Sequence, residues 1–190
     1  MKRSSPSQPK DSELIRRAKK GDQEALVSLY ERYRPSVFSY IYYRVSDQES
    51  AEDLTADVFL RMLTKLDTYV HKTRPVLAWL YTIARNLVID HYRNNGKVHA
   101  VSLDEAVIAS EHGHPGKVVQ ERLDQECLKR ALEQLTEEQR QVILLKFIDG
   151  RENSEVAEIL GKNERAIRSL QHRALVTLQK VMEQEHCYEP

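Results

Sequence analysis

The sequence has 190 residues, 41% hydrophobic and 31% charged, with 6 glycines and 6 prolines. That is enough for one medium or two small domains, and the scarcity of turn-formers and strand-like runs points to an all-α protein. Its 29 basic and 29 acidic residues cancel, so total charge points to no nucleic-acid partner, and no apolar run approaches the roughly 18 to 20 residues that span a bilayer.

The distribution of charge is uneven. Asp47, Glu49, Glu52, Asp53, Asp57 and Asp67 face only Arg61 and Lys65 within their segment, whereas Lys162, Arg165, Arg168, Arg173 and Lys180 face only Glu164. An acidic helix and a basic one predict two different partners. The opening "MKRSSPSQPK" has no apolar stretch behind it and does not read as a signal peptide. Cys127 and Cys187 are too few for a disulfide framework and predict a reduced, cytoplasmic protein.

In chain order, residues 1–11 read as a disordered tail rich in Ser, Pro and Lys. A helix starts at Asp11 or Ser12, with Leu14, Ile15 and Ala18 on one face, and stops at Gly21. Asp22 is placed to cap a second helix, with Ala25, Leu26, Leu29, Tyr30 and Tyr33 inward, and Pro35 restarts or kinks the chain. Val37, Phe38, Ile41, Tyr42 and Val45 then form a stripe up to the polar break at Ser46–Ser50. The acidic helix follows over about Ala51–Leu66. Leu54, Val58, Leu63 and Leu66 keep its helical period, and Phe59, Leu60 and Met62 make its apolar stripe wider than one core face requires.

A loop, "DTYVHKTRP", leads to the long helix "AWLYTIARNLVIDHYRNN". Its buried side reads as Trp79, Leu80, Ile83, Ala84, Leu87, Val88 and His91. Its other side combines cations, amides and a ring: Arg85, Asn86, Tyr92 and Arg93. Separated DNA strands are held by such a mixture, because unstacked bases take π-faces, base edges take amides and the backbone takes cations. Tyr69, His71, Lys72, Thr73 and Arg74 in the preceding loop extend that chemistry. The residues alone leave packing and DNA contact as alternatives for this helix.

Composition shifts after Asn94, and residues 96–119 read as an irregular linker. Helices resume near Gln120, with Leu128, Ala131, Leu132 and Leu135 in one stripe. Thr136 and Gln139 form a capping box, Val142, Ile143, Leu145, Lys146 and Phe147 follow, and Gly150 is the stop. In "SEVAEILGKNERAIRSLQHRAL" a small residue, Ala157, is followed four positions later by Gly161 and six beyond that by Ile167. That spacing is the mask of a helix-turn-helix. The second helix then presents Arg165, Arg168, Ser169, His172 and Arg173 to solvent, a set suited to phosphate contact and major-groove reading.

"SAEDLTADVFLRMLTKL" followed by "RPVLAWLYTIARNLVIDHYRN" resembles the second conserved region of the bacterial sigma factors of the extracytoplasmic-function (ECF) group, and the helix-turn-helix resembles their fourth region. The likeness runs from Ser12 to Met182, apart from the linker. It implies two small helical domains: region 2 at 12–95, which binds core RNA polymerase and recognises and melts the minus-ten element, and region 4 at 120–184, which reads the minus-thirty-five element, with a tail at 185–190. Residue by residue it implies polymerase binding at Asp53, Leu54, Asp57, Phe59, Leu60 and Arg61. It implies base capture by the loop Tyr69–Arg74, minus-ten contact at Arg85, Asn86, Tyr92 and Arg93, and duplex recognition at Arg165, Arg168, Ser169, His172 and Arg173.

The implied partners are the β′ clamp and β flap of core polymerase, promoter DNA and, as a further candidate, an anti-sigma factor. No enzymatic activity, cofactor or small-molecule substrate is expected. The sequence departs from the group at "GRENSEVA" and at the start of the recognition helix, so promoter sequence does not transfer. His112–His114 and His186–Cys187 are pairs where a structural zinc site needs four ligands, and no metal is expected. The rival reading is a helix-turn-helix regulator with a helical sensing or protein-binding domain in front.

Overall fold

The computed structural model describes residues 9–45, 47–70, 74–95 and 126–184. The expected linker and C-terminal tail, His71, Lys72, Thr73 and both His-containing pairs lie outside those residues. All regular structure among the described residues is helical, in two compact units: the helices up to Val88 in the first, and most of the helices from 126 onward in the second.

The first unit begins with α1, Asp11–Ala18, which buries Leu14, Ile15 and Ala18. Gly21 ends it at φ +82°, and the Gly21 and Asp22 amides return to the Ala18 and Arg17 carbonyls, which closes the helix in a left-handed cap. Asp22 caps α2, Gln23–Tyr42, by accepting from the Ala25 amide. Arg17 donates to the same aspartate at 2.7 Å and holds its carboxyl below the usual range. The restart or kink expected at Pro35 is not a break, since α2 runs through it. Proline removes one helical hydrogen bond, but Tyr33, Ser36, Val37, Tyr40 and Ile41 on either side are all buried, and that packing carries the helix past the gap.

Asp47 caps α3, Gln48–Lys65, through the Ser50 amide at 2.7 Å. A 3₁₀ turn, Leu66–Thr68, follows, and then α4, Val76–Asn95. α1 packs on α2 and α2 on α3. α4 joins α2 by a stack of Tyr81 on Tyr40, with ring centroids 4.6 Å apart and the Arg44 guanidinium over the other face of Tyr40 at 3.6 Å.

In the second unit a helix over 126–133, α5, buries Cys127, Ala131 and Leu132. The expectation of reduced cysteines is not met, because Cys127 is disulfide-bonded. The capping box forms as read: Thr136 accepts from the Gln139 amide and Gln139 from the Thr136 amide, opening α6, Glu137–Ile143. α6 continues into a π-helical turn, Leu144–Ile148. Phe147, expected in the stripe, falls within this turn and is 54% exposed, with Ile148 exposed beside it. α7, Asn153–Leu160, and α8, Glu164–Gln184, follow, and α6 packs on α8.

Candidate polymerase and nucleic-acid interfaces

On α3, Asp53, Asp57, Leu60 and Arg61 are exposed, Leu60 by 60%. Leu54 and Phe59 are buried, so they pack the helix rather than offer a surface. Phe59 nonetheless reaches the edge: its ring meets Tyr30 of α2 edge-on, with centroids 4.8 Å apart. Tyr30, Val27 and Leu63 are exposed. Val27 and Tyr30 are three apart on α2, as are Leu60 and Leu63 on α3, so each pair shares a face. Tyr30 and Leu63, which the sequence pattern puts in the stripes, are therefore exposed, and Leu60 shares the exposed side of α3 with Asp53 and Asp57. The signal for this exposure was the over-wide stripe, which showed that one edge remained uncovered without showing which.

The loop ahead of α4 is tied down at both ends. Tyr69 is only 6% exposed, and its ring lies nearly parallel on Trp79 of α4, centroids 4.2 Å apart at 18°. Its hydroxyl donates to the Arg74 carbonyl. Burial, and to a lesser extent the Asp11 carboxylate, pushes the phenol from the ordinary 10.0 up to about 12 against a smaller opposing pull from Arg74. Arg74 donates to the Thr82 hydroxyl of α4 at 2.9 Å. Tyr69, expected as a ring for an unstacked base, is instead a staple, because an aromatic face already covered by Trp79 is not available to a base.

Along α4, Arg85 and Asn86 are exposed, as are Ile89, Tyr92, Arg93 and Asn94. Residues 85, 89 and 93 fall one turn apart on one face, so the two arginines flank Ile89, which the sequence reading had not singled out. Arg93 pairs with Asp90 at 3.2 Å near the surface, a contact with little hold on the side chain. His91 is half-buried and meets Tyr92 edge-on.

The helix-turn-helix takes the expected geometry. Ala157 and Ile167 are buried, and Gly161 turns at φ +64°. The Lys162 amide returns to the Ala157 carbonyl at 2.9 Å, and Asn163 caps α8 through the Ala166 amide at 2.8 Å. Lys162 also pairs with Glu138 of α6 at 2.7 Å. The divergent "GRENSEVA" segment has its own supports. Lys146 donates to the Arg151 carbonyl at 2.8 Å, while Glu155 accepts from the Glu152 amide at 2.9 Å and from Arg151 at 3.4 Å. On α8, Ile167, Leu170, Ala174 and Leu178 face inward, and Arg165, Arg168, Ser169, His172 and Arg173 are all exposed. Arg168 pairs only loosely with Glu164, at 3.4 Å.

No group of three or more His, Cys, Asp or Glu among the described residues could hold a metal ion, and no described helix is long and apolar enough to cross a membrane.

Residues 29–98 match the family described as Sigma-70 region 2, and residues 125–178 match Sigma-70, region 4. The ECF RNA polymerase sigma factor BldN of Streptomyces coelicolor is 40% identical over 90% of this chain and 65% of its own length, so the chain spans about two thirds of that relative. The ECF RNA polymerase sigma factor SigX of Bacillus subtilis is 30% identical over 85% of each chain. Among solved structures, the sigma factor RpoE of Bartonella quintana, in complex with the anti-sigma factor NepR, is 26% identical with a TM-score of 0.57, covering 87% of this chain and 98% of that one. Relatives of this kind disfavour the rival reading as a regulator with a sensing domain. With both regions matched in order, the chain belongs to the ECF RNA polymerase sigma factors, which are transcription-initiation proteins and not enzymes.

Proposed function

We propose that the chain joins core RNA polymerase through the acidic and apolar edge of its first unit, opens the minus-ten element with α4 and the loop before it, and reads the minus-thirty-five duplex with α8. The observation that carries this reading is the exposed set Arg85, Asn86 and Arg93 on a helix that holds Tyr69 through Trp79 and Arg74 through Thr82. A helix that only packed would have no use for such anchors beside an amide and two cations. Asp53 and Asp57, one turn apart, form the negative patch offered to the clamp, with Leu60, Leu63, Val27 and Tyr30 as the apolar part of that contact. Phe147 and Ile148 on the π turn are the surface offered to the β flap.

In this reading region 2 occupies residues 12–95 and region 4 residues 120–184, and the protein acts in the cytoplasm, where the polymerase is. An anti-sigma factor, as in the complex of the Bartonella relative, would compete for the same exposed apolar edges. The test is run-off transcription and permanganate footprinting with reconstituted core. Charge reversal of Asp53 and Asp57 together is expected to abolish core binding with unchanged circular dichroism. Asn86→Ala is expected to reduce thymine reactivity on a duplex promoter and to recover in part on a pre-melted template, where the unpairing energy is already supplied. Wild-type opening by Asn86→Ala would remove α4 from strand separation.

A further inference from the structure

The described loop anchors include a residue from a different part of the chain. Lys19, at the C-terminal cap of α1, donates from its ammonium to the Asp67 carbonyl at 3.0 Å and to the Tyr69 carbonyl at 2.7 Å, across 48 and 50 residues of sequence. These carbonyls lie where the 3₁₀ turn after α3 ends and the loop begins. An ammonium carries three donors and no acceptor, so one lysine can serve both oxygens and satisfy the open end of a helical turn.

Lys19 stands on a fixed post. α1 is held to α2 by Asp11, which accepts from Arg32 at 2.5 Å and from the Tyr33 hydroxyl, and by the buried Leu14, Ile15 and Ala18. The Arg17–Asp22 pair and the Gly21 turn fix the exit from α1 next to Lys19. The far end of the loop is held separately, by Tyr69 on Trp79 and by Arg74 on Thr82. Tyr69 is therefore gripped from two sides: its backbone by α1, its ring by α4.

We infer that Lys19 is a positioning residue for strand opening, which sets Asp67–Tyr69, and with it the Tyr69–Trp79 stack, against the fixed frame of α1 and α2. The inference rests on the proposed role of α4 and its loop in melting. Lys19 touches neither DNA nor polymerase in this scheme. It acts by holding the Asp67 and Tyr69 carbonyls, so that the Tyr69–Trp79 stack and the loop's exit at Arg74 keep one geometry. A surface lysine that merely capped a turn would affect stability alone. One that sets the loop affects opening at constant core affinity.

Trp79 is the only tryptophan in the chain and lies against Tyr69, so its fluorescence reports the stack directly. Lys19→Met keeps the apolar stem and removes the donors. In the full chain it is expected to raise acrylamide quenching of Trp79. In the reconstituted holoenzyme it is expected to lower permanganate reactivity of the duplex minus-ten element by about three- to tenfold, the scale of a partly exposed charge-assisted hydrogen bond. Core affinity should not change, and Lys19→Arg should recover part of both signals. Unchanged Trp79 quenching in Lys19→Met would overturn the anchor. Altered quenching with normal opening would overturn the link from anchor to melting. Asn86→Ala separates this from the underlying reading: a defect in Asn86→Ala with none in Lys19→Met refutes the inference alone, whereas normal opening in both refutes the role of α4 as well.

Discussion

The two helices proposed to meet DNA are built on opposite plans. α8 presents Arg165, Arg168, Ser169, His172 and Arg173 on the open face of a 21-residue helix, where Arg168 meets Glu164 and Arg173 meets the Ser169 carbonyl of the same helix. α4 has a similarly open face, but the segment before it is held by Lys19, Trp79 and Thr82. The difference follows from the targets. A duplex is itself rigid, so a rigid helix with adjustable side chains is enough to read it. A base leaving the stack has no fixed position, so the protein must supply one, and only a loop secured at both ends does so without losing entropy at the moment of capture.

The comparison breaks most severely where the duplex-reading helix is uncoupled from its core. Ile167→Ala empties a fully buried position and is expected to cost about 2 to 5 kcal/mol. Denaturant unfolding followed by circular dichroism should show the loss, with binding to the upstream duplex element lost alongside it. The Trp79 signal of the first unit should keep its midpoint. A parallel shift at Trp79 would show that the two units unfold as one.

Arg168→Ala leaves the scaffold alone and asks whether α8 reads bases or only holds phosphates. Loss of a base-edge contact is expected to weaken promoter-duplex binding within the holoenzyme by about 1 to 3 kcal/mol and relax preference at one position. A uniform loss across sequences, with a shallower salt dependence, would assign Arg168 to the backbone.

The smallest effect tests the loop. Tyr69→Phe keeps the ring on Trp79 and removes the hydroxyl that closes onto Arg74, at an expected loss of about 0.5 to 1.5 kcal/mol. Because the folded value lies at about 12, above the ordinary 10.0, the neutral phenol is the native form. Its contribution is complete below the ordinary value and is lost as pH rises through about 12. Ultraviolet difference titration should show a late tyrosinate step in the wild type that Tyr69→Phe lacks, and equal titrations would place that late step on another tyrosine.

The sequence by itself determined the punctuation of this protein. The caps at Asp22 and Thr136, and the stops at Gly21, Gly150 and Gly161, are decided by residues within three or four positions of one another, because capping is a short-range hydrogen-bond problem. The spacing of Ala157, Gly161 and Ile167 is local in the same sense, and so are the motifs that carry the family. Only the tertiary structure decided which edge of each stripe is covered. Tyr30 and Leu63 read as core and prove exposed, and Phe147 is exposed within a π-helical turn. Tyr69, an aromatic in a polar loop, reads the same whether it is open to a base or stacked on Trp79. The grip of Lys19 on carbonyls about fifty residues away has no sequence signature, because a backbone oxygen is common to every residue and only the fold brings the two together.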